Sequence, residues 1–314
     1  MKMWLASTSG SNREGKLLVS FDEGRSFHLP PKGHGSIVHA LEDWDAFMRS
    51  LDSVDRRAAI SRHTLVLGAA LPRTVQAIYG SAYGNRGVRV EQLAGQPESQ
   101  PRAVLMYQGA SDRFLGPGEP LTLAAAGDEL DVEAEVAVIV DDVPMGIQPE
   151  RAGRHIRLVT ALNDFTYRAQ IREEKPLGFG FVRGKPLSAM AEFAVTPEAL
   201  EDHWRGNVLI ATAEVRVNGK LLGRVPSDEM APDFGHLIAH AAATRPLSAG
   251  TVISSGTVSS ARGQGTASII ERRAVQSGDK AELQPFLSRG DSVEVAFLGA
   301  TGSSLFGRMC NEIC

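Results

Sequence analysis

Two cysteines in 314 residues, Cys310 and Cys314, both among the last five positions, leave no material for a disulfide framework or a thiolate metal site. At the end of the chain they read as exposed thiols. Basic residues are not in excess: 33 Lys and Arg stand against 37 Asp and Glu, for a net charge of -4. That balance argues against a nucleic-acid binder, which would carry a basic face. No apolar run approaches the roughly 20 residues of a membrane span, and the stretch from Met1 to Ala6 has no signal-peptide core. The expectation is a soluble, cytoplasmic protein without a membrane partner. Internal repeats and low-complexity tracts are also lacking.

What the chain has is enough apolar material, 43% of its residues, to bury a substantial core. Lys16 to Phe21 and Ser26 to Leu29 read as short strands around a polar turn. Residues 36–61 carry a helical stripe of Ile37, Leu41, Trp44, Phe47, Met48 and Leu51. Gly95 to Pro101 is polar and rich in Pro and Gly, and marks a candidate boundary between residues 1–100 and residues 101–314. Beyond it short strands dominate. Thr212 to Val217 is followed by Asn218-Gly219, a type I′ hairpin signal. One further helix is expected from Pro232-Asp233 to Thr244, capped by Asp233. The residues alone define a strand-rich chain with a few helices, and no more.

One strand carries chemistry. In Asp131-Val132-Glu133-Ala134-Glu135-Val136, alternation points Glu133 and Glu135 to one face while Val132, Ala134 and Val136 pack behind. Glu-x-Glu alone favours a solvated face, but apolar Val138, Ile139 and Val140 continue without polar alternation, as in a strand buried on both faces. Like charges held that close repel, and burial raises their pKa. A hard divalent cation with oxygen ligands, Mg2+ or Ca2+, resolves the repulsion. An apolar run from Leu158 ends in Asp164, the natural third ligand.

Several stretches, in chain order over most of residues 71–308, resemble the fumarylacetoacetate hydrolase family and its bacterial fumarylacetoacetase-like branch. Residues 105–117, with Tyr107, resemble that branch's substrate loop, and residues 132–137 with the exit 141–146 resemble its metal strand. Leu162 to Arg168 resembles the segment of the third ligand, and Gly184-Lys185-Pro186 the catalytic lysine turn. Ser255-Gly256-Thr257-Val258-Ser259 is similar to a substrate loop, and Glu271 follows at the spacing of a catalytic glutamate.

The resemblance implies an α+β fold, mainly β, with a small N-terminal domain and a C-terminal mixed β-sandwich roll that holds the site at its mouth, and a homodimer. It also implies a metal enzyme for small 1,3-dicarbonyl or 2-oxo acid compounds. Glu133, Glu135 and Asp164 would hold Mg2+, or alternatively Mn2+ or Ca2+; Lys185 and Glu271 would be catalytic; Tyr107, Arg168, Gly256 and Thr257 would bind substrate.

One segment departs from the pattern. The branch carries an Asp, six residues and a His where this chain has Tyr79 and Arg86, although Gly80-Ser81-Ala82-Tyr83 and Asn85 are recognisable between them. In the family that Asp is a fourth metal ligand and that His the base that activates water. Arginine cannot act as a base near neutral pH, and no histidine lies between His63 and His155. Acylpyruvases and oxaloacetate decarboxylases of the family resemble this chain in keeping three carboxylates. With three protein carboxylates, Mg2+ or Mn2+ is expected over Ca2+. The expected chemistry therefore needs no activated water: decarboxylation, tautomerisation, condensation or cyclisation, with Arg86 and Tyr79 turned to substrate. The alternatives are a carbon–carbon hydrolase using Glu271 or Asp112 as base, and a degenerate ligand-binding homologue.

Two weaker signals remain. His236 and His240 are four apart on the expected helix but lack a third ligand. All four tyrosines, Tyr79, Tyr83, Tyr107 and Tyr167, fall in segments matching the site, as a phenol-lined pocket or core packing would require.

Overall fold

The computed structural model describes residues 1–10, 13–31, 33–84, 104–124, 129–178, 180–276 and 283–314. The expected boundary at 95–101 and Arg86 lie outside the described residues. Two sheets organise the chain, which is α+β and mostly β. A nine-stranded mixed sheet runs in the order Leu17–Ser20, Trp4–Ser7, Ala194–Val195, Ile156–Asn163, Ala134–Val140, Val252–Thr257, Ala77–Gly80 and Met106–Gln108, with Ala189–Met190 also pairing Ile156–Asn163. Among the described strand pairs of this sheet, that of Val252–Thr257 with Ala77–Gly80 is the parallel one. A five-stranded antiparallel sheet follows the order Gln264–Gly265, Lys220–Pro226, Thr212–Val217, Ser292–Leu298 and Met309–Glu312.

The strand Ala134–Val140 is buried at every position, as its unbroken apolar end requires. Its two faces meet different partners. Val136, Val138 and Val140 share a core with Ala213, Val215, Val293, Val295 and Phe297 of the second sheet. Ala137 and Ile139 face Ile37, Leu41, Trp44 and Phe47 from the N-terminal helices. Full burial of each large apolar side chain there contributes about 1.5–3 kcal/mol. Strands from residues 4–20 and from residues 134–257 thus share one sheet.

The helical stripe over 36–61 is two short helices, Ile37–Glu42 and Trp44–Ser50, and a 3-10 turn, Leu51–Ser53, rather than one continuous helix. Asp43 interrupts it. With φ -140° and ψ 72° its side chain accepts from the Ala46 N–H and restarts the helix, the competition that makes Asp a cap rather than an interior residue. The other local expectations hold. Asn218 (φ 51°) and Gly219 (φ 74°) join Thr212–Val217 to Lys220–Pro226 with both central residues left-handed, as a type I′ turn demands. Asp233 caps the helix Phe234–Ala241 by accepting from the His236 N–H.

Candidate metal centre

Register assembles the acidic cluster. Ala134 pairs with Asn163 across the antiparallel strands, so the next residue outward on each, Glu133 and Asp164, are neighbours, and the Asp164 N–H donates to the Glu133 carbonyl at 2.9 Å. Glu135, two residues further in, shares the face of Glu133. One carboxylate oxygen from each of Glu133, Glu135 and Asp164 lies within 4.8 Å of the others, and all three residues are buried. Oxygen donors at that spacing fit a hard divalent cation.

Two cations are threaded among these acids. Lys185 Nζ donates to Glu133 Oε2 at 2.8 Å, to Thr166 Oγ1 at 2.7 Å and to Asp164. Its turn is pinned by the Tyr167 N–H, which donates to the Gly184 carbonyl at 2.9 Å. Burial works to lower the lysine pKa, and the Asp164 and Glu133 carboxylates overcome it, so the pKa is raised and the ammonium stays charged. Arg168 donates from Nε to Asp131 at 2.8 Å and from Nη2 to Glu133. Asp131, Glu133, Glu135 and Asp164 against Lys185 and Arg168 leave two negative charges when all are ionised, the complement of one divalent ion. At Glu135, burial, then Asp164 and Glu133, raise the pKa well above the usual carboxylate value.

Tyr79 stands beside this cluster. Its ring stacks on Tyr107 at 5.1 Å and 11°, cross-strand neighbours on one face. The Tyr79 hydroxyl lies 2.9 Å from Ser188 Oγ, which donates to Asp164 Oδ1 at 2.8 Å. Because the serine proton is committed to Asp164, Tyr79 is the donor of that pair. Tyr107 donates to Asp164 Oδ2, and Lys185 Nζ sits 5.2 Å from its ring centroid, within cation–π range. Burial and the Asp164 charge raise both phenol pKa values, so both remain protonated donors. The stacking requires Gly109, because a Cβ there would fall 2.4 Å from the Tyr79 ring.

Thr257 pairs with Glu135 in register. Its buried Oγ1 has no hydrogen-bond partner among the described residues. Gly256, at φ 78°, lies against the Gly80 carbonyl, 2.5 Å from where a Cβ would sit, so only glycine fits the bend that presents Thr257. Glu271 is buried at the start of the helix Ile269–Gln276, where it accepts from Ser259 Oγ at 2.6 Å. It is not a member of the acidic cluster. Ser268-Ile269-Ile270-Glu271 has the spacing of a capping box, and Ser268 Oγ accepts from the Glu271 N–H at 3.4 Å.

The other candidates lie apart. Tyr83 donates to the Ser227 carbonyl at 2.8 Å, and the Tyr167 hydroxyl accepts from the Ala124 N–H at 2.9 Å; both serve the core. His236 and His240 are exposed, and His236 Nδ1 lies 3.0 Å from the capping Asp233. Asp112 is exposed and lines a separate cavity of about 380 Å³ with Arg13, Arg113 and Phe114. Sequence reasoning missed Asp131, Thr166, Ser188 and Ser254, whose Oγ donates to Glu135. Only Asp131 had a visible signal, the period of two it shares with Glu133 and Glu135.

The family model for the fumarylacetoacetate (FAA) hydrolase C-terminal region matches residues 77–314. The chain belongs to the fumarylacetoacetate hydrolase family, a family of enzymes. Among solved structures it is similar to a fumarylacetoacetate hydrolase from psychrophilic Exiguobacterium antarcticum, at 20% identity and TM-score 0.68, over 100% of this chain and 99% of that one. It is similar to maleylpyruvate hydrolase from Sphingobium sp. SYK-6, in complex with manganese(II) and pyruvate, at 15% identity and TM-score 0.66, over 99% and 98%. It is also similar to 5-carboxymethyl-2-hydroxymuconate delta-isomerase from Mycobacterium smegmatis, at 16% identity and TM-score 0.63, over 100% and 98%. No curated protein matches the chain.

Proposed function

We propose that the chain is a divalent-metal enzyme acting on a 2-oxo acid or 1,3-dicarbonyl compound, with a reaction that forms an enolate without activating water. The observation that carries this reading is the buried cluster of Glu133, Glu135 and Asp164 with a charged Lys185 against it. When bound, the ion supplies a Lewis acid to two substrate oxygens; Mg2+ or Mn2+ suits three carboxylates better than Ca2+. The manganese(II) and pyruvate held by the maleylpyruvate hydrolase relative support that class of ion and ligand.

The chain's own groups supply the rest. Lys185, protonated, holds negative charge as it develops on the substrate oxygen, and Tyr107, whose phenol proton goes to Asp164 in this structure, would serve substrate by exchanging that partner. Gly256 and Thr257 receive the substrate carboxylate with a backbone N–H and a free hydroxyl. In a decarboxylation, the bond to the leaving carboxylate breaks, CO2 departs, and the electron pair comes to rest on the enolate oxygen until carbon is reprotonated. A tautomerisation moves a proton through the same enolate. Among the described residues the histidine side chains' hydrogen bonds are with Asp141, Asp233, the Ile210 carbonyl and the Ala300 N–H, and none is with Glu271 or the cluster. A missing general base costs about 10²- to 10⁴-fold.

The test is an assay with and without Mn2+ against oxaloacetate, acylpyruvates and fumarylacetoacetate-like diketo acids, together with Mn2+ titration of Glu133→Gln. Metal-dependent decarboxylation or tautomerisation is expected, with Mn2+ affinity lost in Glu133→Gln. Efficient hydrolysis of a diketo acid would transfer the reading to a hydrolase with Glu271 as base. Unchanged Mn2+ affinity in Glu133→Gln would remove the metal centre.

A further inference from the structure

Asp131 is fully buried, and among the described residues its side chain accepts hydrogen bonds from two places. Oδ1 accepts from the Ile269 N–H at 2.7 Å and Oδ2 from the Ile270 N–H at 3.0 Å, the first two amides of the helix that carries Glu271. Oδ2 also accepts from Arg168 Nε at 2.8 Å and lies 2.7 Å from Nη2. That same Nη2 reaches Glu133. One carboxylate therefore joins a helix N-terminus to a metal-ligand candidate through a single guanidinium.

Capping two amides uses both oxygens of Asp131, where Asn has a single acceptor oxygen, but capping does not account for the guanidinium on Oδ2, and Ser268 already caps this helix locally. A further negative charge buried beside like charges is unfavourable unless it is matched. Arg168 matches it, and its planar fork fixes two carboxylates in set directions. Among the described residues Asp131 and Glu133 are the carboxylates that Arg168 reaches, so without Asp131 its whole charge would fall on Glu133. With Asp131 sharing the guanidinium, less positive charge opposes Glu133, which Lys185 also reaches.

We propose that Asp131 is a positioning residue which, through Arg168, sets the direction and effective charge of Glu133 as a metal ligand and couples it to the helix bearing Glu271. The first consequence rests on the metal-centre reading given above; the coupling to the helix stands without it.

The full-length chain is titrated with Mn2+ alone, by paramagnetic resonance of the free ion, and the amides of residues 269–272 are followed by hydrogen exchange. Asp131→Asn keeps an acceptor for the helix but removes the charge, and its Mn2+ dissociation constant is expected to rise about 10- to 100-fold. Adding Arg168→Met to Asp131→Asn restores the charge balance and recovers most of that loss, which a plain helix cap would not do. Arg168→Lys keeps the charge but cannot fork between two carboxylates. It is expected to weaken Mn2+ binding and to accelerate exchange at 269–272, although among the described residues Arg168 makes no hydrogen bond to that helix.

A folded Asp131→Asn protein binding Mn2+ within about two-fold of wild type, against the 10- to 100-fold expected, overturns the proposal. So does a double variant that binds no better than Asp131→Asn. Should Asp131→Asn not fold, unchanged Mn2+ affinity in Arg168→Lys overturns it instead. If the wild type binds no Mn2+, it is the metal-centre reading that fails, and unchanged exchange in Arg168→Lys then overturns the coupling as well.

Discussion

Lys185 has its ammonium against Glu133, Asp164 and Thr166, so it neutralises the acidic cluster and also competes with any ion that binds there. Lys185→Met separates the two roles. Loss of the charge that faces the developing enolate oxygen should lower kcat about 10²- to 10³-fold, the scale of removing one preorganised donor. Mn2+ affinity should hold or increase, because the cluster loses a positive neighbour. Steady-state kinetics beside Mn2+ titration reads both; a drop in affinity as large as the drop in kcat would make Lys185 a support for the ligands instead. At this scale the sequence was most legible for carboxylates that alternate on a strand. It was silent on Ser188 and Ser254, whose contacts with Asp164 and Glu135 bridge 24 and 119 residues of chain. Nothing local marks a serine for such a partner.

The strand Val252–Thr257 brings its last residues to Glu135 through a register shift between Ser254 and Thr257. Gly256 makes that bend possible. Gly256→Ala places a methyl 2.5 Å from the Gly80 carbonyl in a left-handed backbone, so the strand end must move or strain by about 1–3 kcal/mol. Urea unfolding should show a loss of that order, and KM for a carboxylate substrate should rise as Thr257 shifts. A variant of wild-type stability and KM would mean that the bend is not needed. Elements closed by a local signal, the Asn218-Gly219 hairpin and the Asp233 cap, were readable because the residues that form them are adjacent. The stripe over 36–61 left the break at Asp43 unread, because periodicity reports which side faces the core and says nothing of a cap restarting there.

At the scale of the whole molecule, the unbalanced negative charge of the metal-free site should appear in stability against pH. The Glu135 pKa in the folded chain lies above its ordinary 4.5, through burial and the Asp164 and Glu133 charges. Above that ordinary value the unfolded chain releases the proton while the native chain holds it, so stability falls as pH rises through the folded value. Asp22 acts oppositely: burial works against it, but hydrogen bonds from Ser26 and Ser20 hold its pKa below the ordinary value, and its contribution is lost as pH falls. The melting temperature of metal-free protein should therefore be higher in mild acid than at neutral pH, and Mn2+ should stabilise more at neutral pH. A scanning-fluorimetry profile that is flat from mild acid to neutral, with or without Mn2+, would contradict this. The amino-acid sequence by itself determined the alternating acids, the caps, the tight turn and the class of chain, because each depends on neighbours within a few positions. The tertiary structure alone decided that Trp4–Ser7 and Leu17–Ser20 join the sheet of the acidic cluster. It also decided that Tyr79 lies over Tyr107, and that Asp131 reaches a helix 138 residues away. Those contacts depend on sheet order and register, which arise only when distant segments bury their apolar faces against one another.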